Sequence, residues 1–95
     1  MMPHSEPEMN PAVLDVLKMQ QVAAAKGRLN FWTIYDKPAD YPHGFCARRH
    51  EVPGGPTQHL LISDLEGLRE IFEGAHLHRM PREEGDDVKI VETWI

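Results

Sequence analysis

The chain has 95 residues, enough for one hydrophobic core and too few for two. An apolar share of 41% and a charged share of 26% exclude the disordered class, and a formal charge of −5 argues against a dedicated nucleic-acid or anionic-membrane surface. No apolar run approaches the roughly 20 residues of a membrane-spanning helix, the acidic, proline-bearing start lacks the pattern of a secretory signal, and the single cysteine, Cys46, rules out an internal disulfide, so a reducing cytoplasm is the expected compartment.

Residues 1–9 carry two prolines, two acids and no periodicity, and are expected to be a flexible leader to a single domain over residues 10–95. Asn10-Pro11 then reads as an N-cap and first helical residue, because Asn accepts from an orphan backbone N–H and Pro has none to orphan. The helix should run over residues 11–26, turn Val13, Val16, Leu17 and Ala24 toward the core, and stop at Gly27. Met19 and Val22 fall off that face, so the helix either packs against two surfaces or meets another molecule.

Residues 29–35 are rich in aromatic and β-branched side chains and read as a strand that is apolar on both faces, hence central and covered above and below by helices or a long loop. Residues 44–52 and 57–62 give two more strands, joined across Pro53-Gly54-Gly55-Pro56 as an antiparallel hairpin. On the first of these, Phe45 and Ala47 should face inward, Cys46, Arg48 and His50 outward, with Arg49 near a rim. Ser63-Asp64-Leu65-Glu66 matches a capping box, with Ser63 as N-cap, opening a second helix that ends at Gly74. Short strands over residues 76–80 and 88–95 complete the order α-β-β-β-α-β-β, an α+β fold with two helices on a mostly antiparallel sheet of about five strands.

The loop from Asp36 to Gly44 is longer than a hairpin needs, and long connections often carry function. Tyr35, Tyr41 and His43 could form an aromatic rim there with Asp36 and Asp40 as acceptors, although Asp and Pro more commonly just make turns. Cys46 beside Arg48 could be a lowered-pKa thiolate, against the commoner role of a small buried apolar residue. His76 and His78, two apart on a strand, could reach one metal ion, with His50, His59 or Cys46 completing the set; two ligands do not make a site, and no metal motif supports one. Arg48, Arg49, Arg79 and Arg82 could form a phosphate-contacting patch if the second and fourth strands were neighbours.

The stretch Phe31-Trp32-Thr33-Ile34-Tyr35-Asp36-Lys37-Pro38-Ala39-Asp40-Tyr41-Pro42, followed by Phe45-Cys46-Ala47-Arg48-Arg49 and by Ile90-Val91-Glu92-Thr93-Trp94-Ile95, resembles a group of short uncharacterised bacterial proteins. The resemblance covers residues 29–95 and implies common descent, with no activity to carry over. In the absence of a convergent catalytic motif, the expected function is that of a non-enzymatic interaction or regulatory module. It would bind a protein partner through Tyr35, Asp36, Asp40, Tyr41, His43, Arg48, Arg49 and His50, with no cofactor, and a homodimer through the last strand stays open. The rivals are a small enzyme or metal-dependent protein using Cys46 and the histidines, and a nucleic-acid accessory using the arginines.

Overall fold

The computed structural model describes residues 10–37 and 44–95. Two helices and five strands follow the expected order: α1 (Pro11–Ala25), β1 (Leu29–Asp36), β2 (Phe45–Val52), β3 (Gly55–Ser63), α2 (Leu65–Gly74), β4 (Arg79–Pro81) and β5 (Ile90–Trp94). Every strand pairing is antiparallel and the spatial order is β3-β2-β1-β5-β4, which places β1 in the middle.

Helix α1 begins as expected, with Asn10 Oδ1 accepting from Ala12 N at 2.9 Å, and closes at Gly27, whose φ of +72° is costly for any residue with a Cβ. Its buried stripe is Val13, Val16 and Ala23, with Ala24 exposed, and Gln20 in the intervening turn is tied to Asn30. The β2–β3 turn uses positive φ at both Gly54 and Gly55, and Gly55 already pairs with Glu51, so β3 starts two residues earlier than the proline pattern suggested.

Helix α2 is capped by Asp64, not Ser63: its carboxylate accepts from Gly67 N at 2.7 Å, while Ser63 stays in the β3 ladder opposite Phe45. Gly74 has a packing role, since a Cβ there would stand 3.1 Å from Val13 Cγ2 of α1. The left-handed closing residue is His76, with φ of +63°, so β4 begins only at Arg79.

Both helices lie on the same side of the sheet. Val13 and Val16 of α1 and Leu68, Ile71 and Phe72 of α2 form one core with Trp32, Ile34, Ala47 and Trp94 from the strands, and Phe72 sits with ring centroids 5.5 Å from Trp32 and 5.8 Å from Trp94. Glu92 is buried beside this core. It accepts from Arg69 Nε at 3.0 Å, from Arg69 Nη2 at 2.8 Å and from Trp94 Nε1 at 2.8 Å, so a carboxylate that burial would make costly is fully engaged. Both helices thus cover the Trp32 and Ile34 face of β1; among the described residues no helix lies over the Phe31 face, and most of the long loop that could cover it lies outside the described residues. No helix is long and apolar enough to cross a membrane.

Candidate functional site

The register fixes which side chains share the face of the sheet opposite the helices. Residues opposite one another in a ladder point the same way, so Tyr35 stands beside Cys46, Ile62 and Ile90, and Thr33 beside Arg48, Leu60 and Thr93. Phe31 stands beside His50 and Pro56, and Leu29 beside Val52 at the end of the sheet. Met80 joins opposite Thr93, and His78 opposite Ile95 through a reciprocal pair of backbone bonds. The result is a sheet surface with Leu29, Val52, Ile62 and Met80 each about half exposed, while the small Thr33 and Cys46 sink between larger neighbours.

At the centre of this face the rings of Phe31 and His50 stack with centroids 4.9 Å apart and planes 2° from parallel. His50 Nε2 is buried without a partner among the described residues. Its burial, together with the Arg48 charge on the same strand, holds its pKa below the ordinary imidazole value, so the ring is neutral at neutral pH. Arg48 donates from Nη1 to Thr57 O at 2.6 Å. Burial raises the Tyr35 phenol pKa against the opposing charge of Arg48, with Cys46 and the nearby Asp87 adding to the rise, so Tyr35 also stays neutral.

The neighbouring residue Arg49 points to the other side. The expectation that it would sit near a rim is corrected: it is 8% exposed, on the helix side with Ala47. It survives there because three strands supply partners. Nε donates to His59 Nδ1 at 2.9 Å, and Nη1 donates to Asn30 Oδ1 at 2.8 Å and to Glu51 Oε1 at 2.7 Å. Asn30 is held in turn by Gln20, and Glu51 Oε2 accepts from Arg28 at 2.9 Å. Hydrogen bonds from Arg49 and then Arg28 keep the Glu51 carboxyl below its ordinary pKa, so the group is ionised. A buried arginine with acceptors from β1, β2 and β3 has no local sequence signature; only its alternation in phase with Ala47 could have flagged it.

The expected site residues therefore divide. Tyr35, Arg48 and His50 share the open face; Arg49 lies behind it; Asp36 lies opposite Phe45 at the end of the sheet with Oδ1 buried and unpaired among the described residues; and Asp40, Tyr41 and His43 fall outside the described residues. The four arginines do not form one patch, because β1 and β5 separate β2 from β4 and because Arg48 and Arg49 face opposite ways. His76 lies in the turn closing α2 and His78 precedes β4, so the two do not alternate along a strand, and among the described residues no three His, Cys, Asp or Glu side chains converge as metal ligands would. Cys46 is buried. Comparison with protein-family models, with curated proteins and with solved structures finds no match to this chain.

Proposed function

We propose that the protein is a non-enzymatic interaction module that docks an apolar segment of a different protein on the sheet face opposite its helices. One observation carries this reading: of the eight large apolar side chains exposed among the described residues, Leu29, Val52, Leu60, Ile62 and Met80 all stand on that face. Single exposed apolar residues are ordinary, whereas five on one face of a sheet suit a surface that meets a partner.

Among the described residues, the titratable positions that the register brings onto this face are Tyr35, Cys46, Arg48, His50 and His78, with Asp87 close to Tyr35. Strands of these lengths at a rise of about 3.3 Å and a spacing of about 4.8 Å present on the order of 500 Å², which suits a peptide segment or a transient partner better than an obligate one.

The test is a double variant, Leu60→Lys with Ile62→Lys, beside a control, Leu14→Lys, on the exposed outer side of α1. A stoichiometric complex isolated from the native cells should be lost with the double variant and retained with the control. Retention by the double variant, or a bound species that proves to be a second copy of the chain, would overturn the proposal.

A further inference from the structure

On the other side of the sheet, beside the helices, a cavity of about 230 Å³ opens between α1 and the β2–β3 hairpin. Helix α1 and its C-cap residue Lys26 line it with Lys18, Met19, Val22 and Lys26, and the strands line it with Arg49, Glu51 and His59. We infer that this cavity binds a small organic oxyanion, a carboxylate or phosphomonoester carried on a short apolar body.

The donor geometry points that way. Arg49 is locked by its bonds from Nε and Nη1, and both of those nitrogens are fully committed. Its remaining nitrogen, Nη2, makes no hydrogen bond to the described residues, and Arg49 is part of the cavity wall, so an immobilised guanidinium with donors to spare borders the cavity. A planar donor pair fixed in advance suits an oxyanion, because little freedom is lost when the ligand arrives. His59 adds a third donor: its Nδ1 accepts from Arg49, which puts the ring proton on Nε2.

The charge balance agrees. Glu51 is the one carboxylate in the lining, and both of its oxygens are taken, by Arg49 and by Arg28 outside the cavity. It therefore offsets arginine charge and leaves Lys18 and Lys26 uncompensated within the lining. Eight residues apart on a helix, these two lie about 12 Å from each other along its axis, with Met19 and Val22 between them. Val22 falls off the buried stripe of α1 and remains 53% exposed, and Met19 is only partly buried at the edge of the core. A ligand with an anionic head toward Arg49 and an apolar body against Met19 and Val22 would use every part of the lining. The volume limits it to a small molecule, since it lies below the usual drug-sized range.

The experiment is a heteronuclear NMR titration of the full chain with phenyl phosphate, benzoate, inorganic phosphate and benzyl alcohol, each in low-salt buffer. At least one of the two aromatic anions should give saturable shifts centred on residues 18–26 and on the Arg49 and His59 side chains; which of the two binds tighter assigns the head group. The variant Lys18→Gln with Lys26→Gln, confined to exposed positions, should keep the fold and weaken binding about tenfold, and raised salt should weaken the wild type in parallel. Arg49→Lys, if folded, should abolish saturation. The proposal would be overturned by equal binding of benzyl alcohol, by inorganic phosphate binding as tightly as phenyl phosphate, by an unchanged affinity in the lysine variant, or by no saturable shift from either aromatic anion.

Discussion

Replacing Glu92 by glutamine probes the buried polar centre of the fold with almost no change in volume. The native carboxylate accepts two bonds from Arg69 and one from Trp94 Nε1. Glutamine keeps one acceptor oxygen and turns the other position into a donor facing donors, so at least one charge-assisted bond is lost outright. Such bonds contribute about 1.5–3 kcal/mol each, and an orphaned buried donor costs a similar amount. Arg69 keeps 27% of its side-chain surface exposed and can turn part of its charge to water, which lowers the total. The expected loss is about 2–3 kcal/mol, or about 10–20 °C in Tm for a domain of this size. Urea unfolding followed by tryptophan fluorescence at neutral pH measures it, with an unchanged slope expected because the surface exposed on unfolding is the same. The pH dependence gives a second readout. Burial would raise the Glu92 pKa, but the hydrogen bonds from Arg69 and Trp94 and the nearby arginine charges outweigh it and hold the group below its ordinary value. The unfolded chain thus takes up the proton first as pH falls, so the stabilisation is fully present above the unfolded value, about 4.3, and is lost as pH drops through the lower folded value. The gap between wild type and variant should narrow over that window. A loss under about 0.5 kcal/mol at neutral pH, or a gap that does not change in acid, would refute this reasoning.

Asp64→Ala should cost about 1 kcal/mol in urea unfolding and Ser63→Ala almost nothing, since only Asp64 accepts from the first turn of α2; equal losses would restore the capping box. Gly67→Ala should destabilise the protein despite the better helix propensity of alanine, because its Cβ would collide with Ser63 Oγ and stand 2.8 Å from the Asp64 capping oxygen; a gain in Tm would show that both can shift. The His50 pKa lies below the ordinary imidazole value, from burial and then from Arg48, so the unfolded chain binds that proton at higher pH. The stability it contributes is present above about pH 6.5 and is lost as pH falls through the folded value, and His50→Phe should flatten that part of the stability profile. A titration of the His50 ring by NMR that gave an ordinary or raised value would contradict this.

The elements were legible wherever punctuation was local. Asn10-Pro11 and Gly27 bracket α1, Pro53-Gly54-Gly55-Pro56 marks the hairpin, and the apolar run before the terminus is β5. What escaped was set by contacts across the fold. Gln20 looks like a surface residue until Asn30 is brought beneath it, and Arg49 looks like a rim residue until Asn30, Glu51 and His59 arrive from three strands. The capping residue was missed by one position because Ser63 is claimed by the ladder with Phe45, a pairing that depends on register. The two apolar faces of β1 were read correctly as apolar. Alternation along a strand cannot say whether helices or another molecule cover a face, and here both helices went to the Trp32 and Ile34 side. The patch of four arginines failed for a related reason, since strand order is a property of the whole sheet.

The most direct test of the open face as the docking surface is side-chain footprinting of the isolated native complex against the free chain. Met80, Leu60, Ile62 and His50 should lose reactivity together when the partner is bound, while Leu14 and Val88, exposed elsewhere, should react as before. Protection that falls on Leu14 with the four sheet positions unchanged would contradict the account.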